Sequence, residues 1–197
     1  MSAVRSTTVR EVLIRSYRTD SVGQQNYDCS VWEAARATSA APTYFGPIKL
    51  RGPNAATFVD GGVRANNPIE LVMKEARDIW DSRAIGCVLS IGTGRIHIKA
   101  FKSNAKLHQI VKTMTEIATD ADAIARRFRT SGEGKYLTDA GKYYRFNVEH
   151  GLEEVDLCDT SKIQHMKDFT EPYVEDEADR LLSCSRAIAS SCLAQIS

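Results

Sequence analysis

One carboxylate in this sequence stands where a catalytic group would. Thr57-Phe58-Val59 is a brief β-branched and aromatic run, and it passes straight into Asp60-Gly61-Gly62 before a helix signal at Asn67-Pro68. A strand that ends on an aspartate presents a carboxylate at the strand end. The two glycines allow positive φ and leave no Cβ in the way, so another backbone or a substrate can approach the carboxylate closely. Asp-Gly is also a strong short-hairpin signal, so a plain turn is the competing reading.

Other candidates have weaker contexts. Asp139-Ala140-Gly141 has a similar look, but no strand precedes it and its surroundings are polar, which makes it an ordinary turn. His97, His108, His150 and His165 are scattered, and none lies at a motif distance from a nucleophile. The cysteines, 29, 87, 158, 184 and 192, are odd in number and form no C-x-x-C pair, so a metal site is not expected and Cys87 reads as a small buried hydrophobe in a reduced setting. Gly92-Thr93-Gly94 follows an apolar run. It has no G-x-G-x-x-G or G-K-[ST] continuation, so a nucleotide-binding domain is disfavoured. Arg126, Arg127 and Arg129 cluster at a helix end and read as a solvated face rather than a lipid-headgroup site.

The elements that must position Asp60 can be drawn from the pattern. Trp32 to Ala41 predicts a short helix with small residues on most faces, able to lie close on a sheet until Pro42 stops it. Val9 to Tyr17 predicts a strand with no partner before it, and Ile48-Lys49-Leu50 another. Ile69, Val72, Met73, Ala76, Ile79 and Trp80 predict a helix, with Asn67 as cap, Pro68 at its first position and Glu70 completing a capping-box spacing. Gly86 to Ile91 predicts a strand buried on both faces of a parallel sheet. Apolar positions from Leu107 to Phe128 keep helical spacing, TSGEGKYLTDAGK (130–142) reads as a polar loop, and Tyr143 to Val148 as a strand. After an acidic loop to Thr160, one helix is expected over Ser161 to Phe169 and a second opening at Pro172. No repeat or linker divides the chain.

Composition excludes several function classes. The 197 residues carry a net charge of +1 with interspersed signs, which gives no case for nucleic acid. The polar N-terminus lacks an apolar core of the signal-peptide kind, and nowhere do about 18 apolar residues run together. A cytoplasmic or membrane-peripheral location is the expectation.

Taken together, W-E-A-A-R-A-T-S-A-A-P-T-Y-F, F-V-D-G-G, N-N-P and L-S-I-G-T-G are a specific set in order and spacing. The set resembles the patatin-like phospholipases, most closely their fungal members, and the likeness runs from about Val9 to about Val174. The resemblance implies an α/β fold of the three-layer α/β/α patatin type. It implies a lipid acyl hydrolase using a serine–aspartate dyad, which needs no imidazole. Asp60 would be the base, with Gly61 and Gly62 shaping its approach to the serine and Asn66 and Asn67 as supporting or capping groups. The substrate would be a lipid acyl ester, with peripheral membrane contact and no cofactor. There is one large departure: the family's G-x-S-x-G nucleophile and glycine-rich D-G-G-G-x-R-G loop do not occur here. The chain therefore reads as the C-terminal part of a single patatin-like domain, residues 1–197, incomplete at the N-terminus and inactive alone. The alternative is a non-catalytic remnant serving as an interaction or lipid-surface module.

Overall fold

The computed structural model describes residues 1–18, 25–42, 44–52, 55–81, 83–95, 120–153 and 155–193. These residues fall into two compact units, residues 1–68 and the remainder from Ile69 onward. The fold is α/β, mixing helices and strands and including a parallel strand pair.

The first unit is built on an antiparallel sheet. Ser2–Arg5 (β1) and Arg10–Leu13 (β2) form a hairpin, Ile48–Leu50 (β3) and Ala56–Asp60 (β4) complete the sheet, and the strand order is β2-β1-β4-β3. The strand expected over Val9 to Tyr17 is thus shorter, and it does have a partner before it. That partner was illegible because its apolar content is two small residues, Ala3 and Val4, which are nonetheless fully buried between neighbours on both sides.

Val31–Thr38 (α1) lies on this sheet. Its start is fixed by Ser30, whose amide and hydroxyl both donate to Glu33 Oε2, at 2.9 and 2.8 Å. These bonds favour the charged carboxylate and hold the Glu33 pKa below its ordinary value. Small residues let the helix settle closely: Ala34 and Ala37 are buried against Leu50, Ala56 and Phe58. Phe58 is fully buried in this core and packs on Tyr27 in a T-shaped pair, with ring centroids 5.2 Å apart. The helix ends at Thr38, not at Pro42, because Ser39 turns out of it with its hydroxyl on the Ala35 carbonyl at 2.8 Å.

The second unit begins with Ile69–Trp80 (α3), preceded in the chain by the short helix Gly62–Ala65 (α2). Of the apolar stripe on α3, Ile69 and Met73 are buried, whereas Val72, Ile79 and Trp80 are exposed. Val88–Ile91 (β5) pairs in parallel with Tyr143–Phe146 (β6). β5 is not covered on both faces as expected. Val88 points into the core, but Leu89 and Ile91 are exposed, and β6 is its one strand neighbour among the described residues.

Ala121–Thr130 (α4) starts at its own cap, Asp120, whose backbone is extended and whose Oδ1 accepts from the Asp122 and Ala123 amides at 2.9 Å. The helix expected from Leu107 to Phe128 is therefore interrupted there; residues 107–119 lie outside the described residues. The segment read as a polar loop is instead a helix, Gly132–Asp139 (α5). Ser131 caps it by accepting from the Gly134 amide at 3.1 Å, and Lys135 pairs with Asp139 one turn on at 2.7 Å. Gly134 looked like a breaker, yet a Cβ there would stand 1.9 Å from the Phe128 carbonyl oxygen, so the helix-to-helix turn demands glycine. Phe128, Leu137 and Tyr143 close this core around Ile69, Met73 and Val88.

Ile163–Asp176 (α6) and Ala178–Leu193 (α7) finish the chain. Pro172 does not open the last helix; it sits inside α6. A proline removes one helical donor, but the following residue is anchored, since the Asn147 amide donates to the Tyr173 hydroxyl at 2.9 Å. The break comes at Glu177, whose amide donates back to the Tyr173 carbonyl at 3.0 Å.

Candidate functional site

Asp60 is the last residue of β4, and three backbone contacts set its place. It lies opposite Ala3 in the β1–β4 register, its amide donates to the Ala40 carbonyl at 3.0 Å, and the chain then turns directly into α2. The side chain is half-buried. Oδ1 accepts from the Gly62 amide at 2.5 Å, and Oδ2 makes no hydrogen bond among the described residues. One oxygen is thus pinned by the turn and the other is left with its accepting capacity, the arrangement a positioned proton acceptor needs.

The turn is not a hairpin, since it joins a strand to a helix. Nor do Gly61 and Gly62 supply positive φ: Gly61 sits at φ −61° and ψ −29°, ordinary right-handed helical values. What Gly61 supplies is room. A Cβ there would stand 2.4 Å from the Ser2 carbonyl oxygen and 2.5 Å from Ser2 Oγ. The close approach anticipated at this aspartate is therefore made by the backbone of β1.

The remaining candidates are dispersed. Asp139 is exposed at the end of α5 in its ion pair with Lys135. Asn66 is exposed and Asn67 buried just before α3. His165 Nε2 lies 2.7 Å from the Gly151 carbonyl oxygen and its ring packs on Phe169, a structural arrangement; His150 is exposed; His97 and His108 fall outside the described residues. The Gly92-Thr93-Gly94 turn is occupied by a side chain of its own unit, with the Gly94 amide donating to Asn147 Oδ1 at 2.7 Å. Cys87, half-buried just before β5, has its thiol pushed up to about 11 by burial and by the adjacent Cys184. Arg127 forms a bidentate pair with Glu70, Arg126 reaches Asp120 at 3.5 Å, and Arg129 has no ion pair among the described residues.

One polar constellation escaped the sequence reading. Arg145, nearly buried in β6, donates from Nη1 to Ser90 Oγ at 2.9 Å and lies 3.5 Å from Asp122 Oδ1, which also accepts from Asn147 Nδ2 at 3.1 Å. Arg95 Nε completes the set, 3.1 Å from Asp122 Oδ2. The available signal was an arginine in the middle of the aromatic strand Tyr-Tyr-Arg-Phe, where a charge must find partners.

Residues 3–73, which hold all of α1, β4 and the Asp60 turn, match the family model of the patatin-like phospholipases. A patatin-like phospholipase 1 of Plasmodium falciparum is 30% identical over 192 residues, covering 84% of this chain and 28% of the relative. The chain belongs to the patatin-like phospholipase family. Similarity extends to a calcium-independent phospholipase A2-gamma of Oryctolagus cuniculus, 29% identical over 149 residues (73% of this chain, 18% of the relative), and to phospholipase A I of Arabidopsis thaliana, 28% identical over 117 residues (59% and 8%). The chain thus spans less than a third of the length of each of these phospholipases. Among its described residues no helix is long and apolar enough to cross a membrane.

Proposed function

We propose that this chain is the C-terminal part of a patatin-like lipid acyl hydrolase domain and carries its general base, Asp60. The observation that supports this most is the half-pinned carboxylate: Oδ1 is held by the Gly62 amide while Oδ2 stays unbonded among the described residues. A nucleophile of the family type is not in this sequence, since no serine has glycine both two residues before and two residues after it. In the assembled domain, a serine beyond these 197 residues attacks the ester carbonyl as Asp60 takes the hydroxyl proton. That proton passes to the leaving alcohol, giving an acyl-serine. Water, deprotonated by Asp60, then releases the fatty acid and restores both groups. The substrate class is a lipid acyl ester reached from a membrane or micelle surface.

The test joins this chain to an upstream segment that carries G-x-S-x-G and the glycine-rich loop. Asp60→Asn keeps the oxygen that accepts from Gly62 and removes the base, so ester hydrolysis should fall by about 10²- to 10³-fold with the circular dichroism unchanged. Asp139→Asn should leave it unaltered. Equal activity of the Asp60→Asn protein and its parent would defeat the assignment. The chain alone should hydrolyse neither a nitrophenyl ester nor a fluorogenic phospholipid above background, and it should take no label from a fluorophosphonate.

A further inference from the structure

The outer side of α1 is apolar where a surface helix is ordinarily polar. Ala34 and Ala37 are buried against the sheet, and the residues turned to solvent are Val31, Trp32 and Ala35, with Ser39 at the helix end; Val31 is 82% exposed and Trp32 65%. The surface continues past the helix. Arg36, one turn on from Trp32, lays its guanidinium over the Phe45 ring at 5.3 Å and donates from Nη2 to the Gly46 carbonyl at 2.7 Å. Phe45 is still 52% exposed, and Tyr44 beside it is exposed as well. Trp32 and Phe45 are thus joined through Arg36 into one strip, and a ring already held by its neighbour has less freedom to lose when it is covered.

Charge and position say what covers the strip. Between Asp28 and Asp60 the sequence has one carboxylate, Glu33, against Arg36, Lys49 and Arg51, and Glu33 is turned back onto the amide and hydroxyl of Ser30. Residues 1–68 hold eight lysines and arginines against five aspartates and glutamates, whereas the whole chain is only +1, so the unit that carries the strip is basic and the remainder acidic. Exposed aromatic rings interleaved with arginine, and without a free carboxylate, suit the headgroup level of a phospholipid bilayer, where the rings enter the acyl boundary and guanidinium meets phosphate. The strip also ends beside the catalytic candidate. The Tyr44 and Phe45 amides donate to the Ala41 carbonyl at 3.1 and 2.9 Å, and the carbonyl of the preceding residue, Ala40, holds the Asp60 amide.

We propose that Trp32, Tyr44 and Phe45, with Arg36 among them, form the surface by which this part of the domain seats on a phospholipid bilayer. The proposal rests on the lipid-hydrolase reading above and names the surface that brings the substrate to the strand end bearing Asp60.

The chain has two tryptophans, so Trp80→Phe leaves Trp32 as the reporter. Vesicles of phosphatidylcholine and phosphatidylglycerol with brominated acyl chains should quench its fluorescence, which requires the ring to reach the acyl layer. Phe45→Ser should weaken sedimentation with the same vesicles about tenfold, the loss of one inserted ring. Tyr136→Ser removes an exposed ring from the second unit and should leave binding unchanged. Both side chains are exposed, so both proteins should keep the fold, read by circular dichroism. Binding is read without hydrolysis, so this test and that of Asp60 as the base fail independently. Unquenched Trp32, full binding by Phe45→Ser, or an equal loss in Phe45→Ser and Tyr136→Ser overturns the proposal. So does quenching that disappears once the upstream segment is joined, which would assign the strip to the rest of the domain.

Discussion

Substituting alanine for Gly61 isolates the contact that shapes the aspartate turn. Backbone conformation cannot be the obstacle, because φ −61° and ψ −29° suit alanine, and the lost chain freedom of glycine should by itself favour the variant by about 0.4–1 kcal/mol. The obstacle is β1. The new Cβ would lie 2.4 Å from the Ser2 carbonyl oxygen and 2.8 Å from its carbon, where ordinary van der Waals contact begins at 3.4 Å. About 1 Å of movement is therefore needed, the difference between 3.4 and 2.4. Ser2 is poorly placed to give way, since β1 is paired with β2 on one side and β4 on the other. Overpacking of this kind costs about 1–3 kcal/mol, so after the conformational gain the net loss should lie between about 0 and 2.6 kcal/mol, centred on about 1.3. Gly46→Ala is the control in the same unit: nothing lies within 4 Å of its Cβ position, and it should be neutral or slightly stabilising. Urea unfolding of the three proteins, followed by far-ultraviolet circular dichroism, should show a lower midpoint for Gly61→Ala alone at unchanged slope. A Gly61→Ala midpoint at or above that of the parent would refute the steric argument, and with it the claim that β1 sets the approach to Asp60.

Glu11 offers a pH test in the same sheet. Its pKa is raised by burial, against the pull of Arg64, so the folded chain holds its proton more tightly than the unfolded chain; stability on this account is greatest below the ordinary glutamate pKa and is lost as pH rises through the raised value. Glu11→Gln should then melt higher than the parent at neutral pH and converge with it in acid, and a gap independent of pH would count against the assignment. Among the cysteines, Cys158 and Cys192 are exposed, whereas the thiols of Cys87 and Cys29 are raised, the latter by burial and the charges of Glu33 and Asp28. Iodoacetamide at mildly alkaline pH should label Cys158 and Cys192 first by peptide mass spectrometry, and early labelling of Cys87 would contradict its environment. Phe58→Ala should cost about 3–5 kcal/mol in urea unfolding, because the ring is fully buried and packs on Tyr27; a loss under about 1 kcal/mol would contradict its burial in the first core.

Which parts were legible follows from how locally each is determined. β4 and its turn could be read because Thr57-Phe58-Val59 is a strong strand signal and the residues that end it are adjacent to it. α3 was legible for the same reason, its apolar repeat being carried within one segment. β1 was not, since two buried residues between polar ones make no period, and its place depends on pairing with a strand more than 50 residues later. α5 was hidden by its glycines, which count against a helix on propensity, though one of them, Gly134, is what allows the Phe128 carbonyl to approach. Pro172 misled in the opposite direction, because tertiary anchoring of Tyr173 outweighs one lost hydrogen bond. That a strand ends on Asp60 could be read from the string alone, but the role of Gly61 could not. Its reason is Ser2, and no local pattern couples the two.

The small residues ahead of the aspartate then take on a definite meaning. In Ala34-Ala35-Arg36-Ala37-Thr38-Ser39-Ala40, the alanines at 34 and 37 let α1 lie on the sheet, and Ala40, fully buried, offers its carbonyl to the Asp60 amide. A larger side chain at 34 or 37 would lift the helix, and with it the carbonyl that holds the end of β4. Ser39 contributes by stopping the helix one turn short of Pro42, since a helical Ala40 would direct its carbonyl along the helix axis and away from Asp60. The W-E-A-A-R-A-T-S-A-A-P and F-V-D-G-G strings, well separated in the sequence, are therefore two halves of one mechanical unit. The first fixes the backbone of the aspartate from the helix side, and Gly61 admits β1 from the other. The carboxylate between them keeps a single oxygen bound to the turn, and its other oxygen has no hydrogen bond among the described residues.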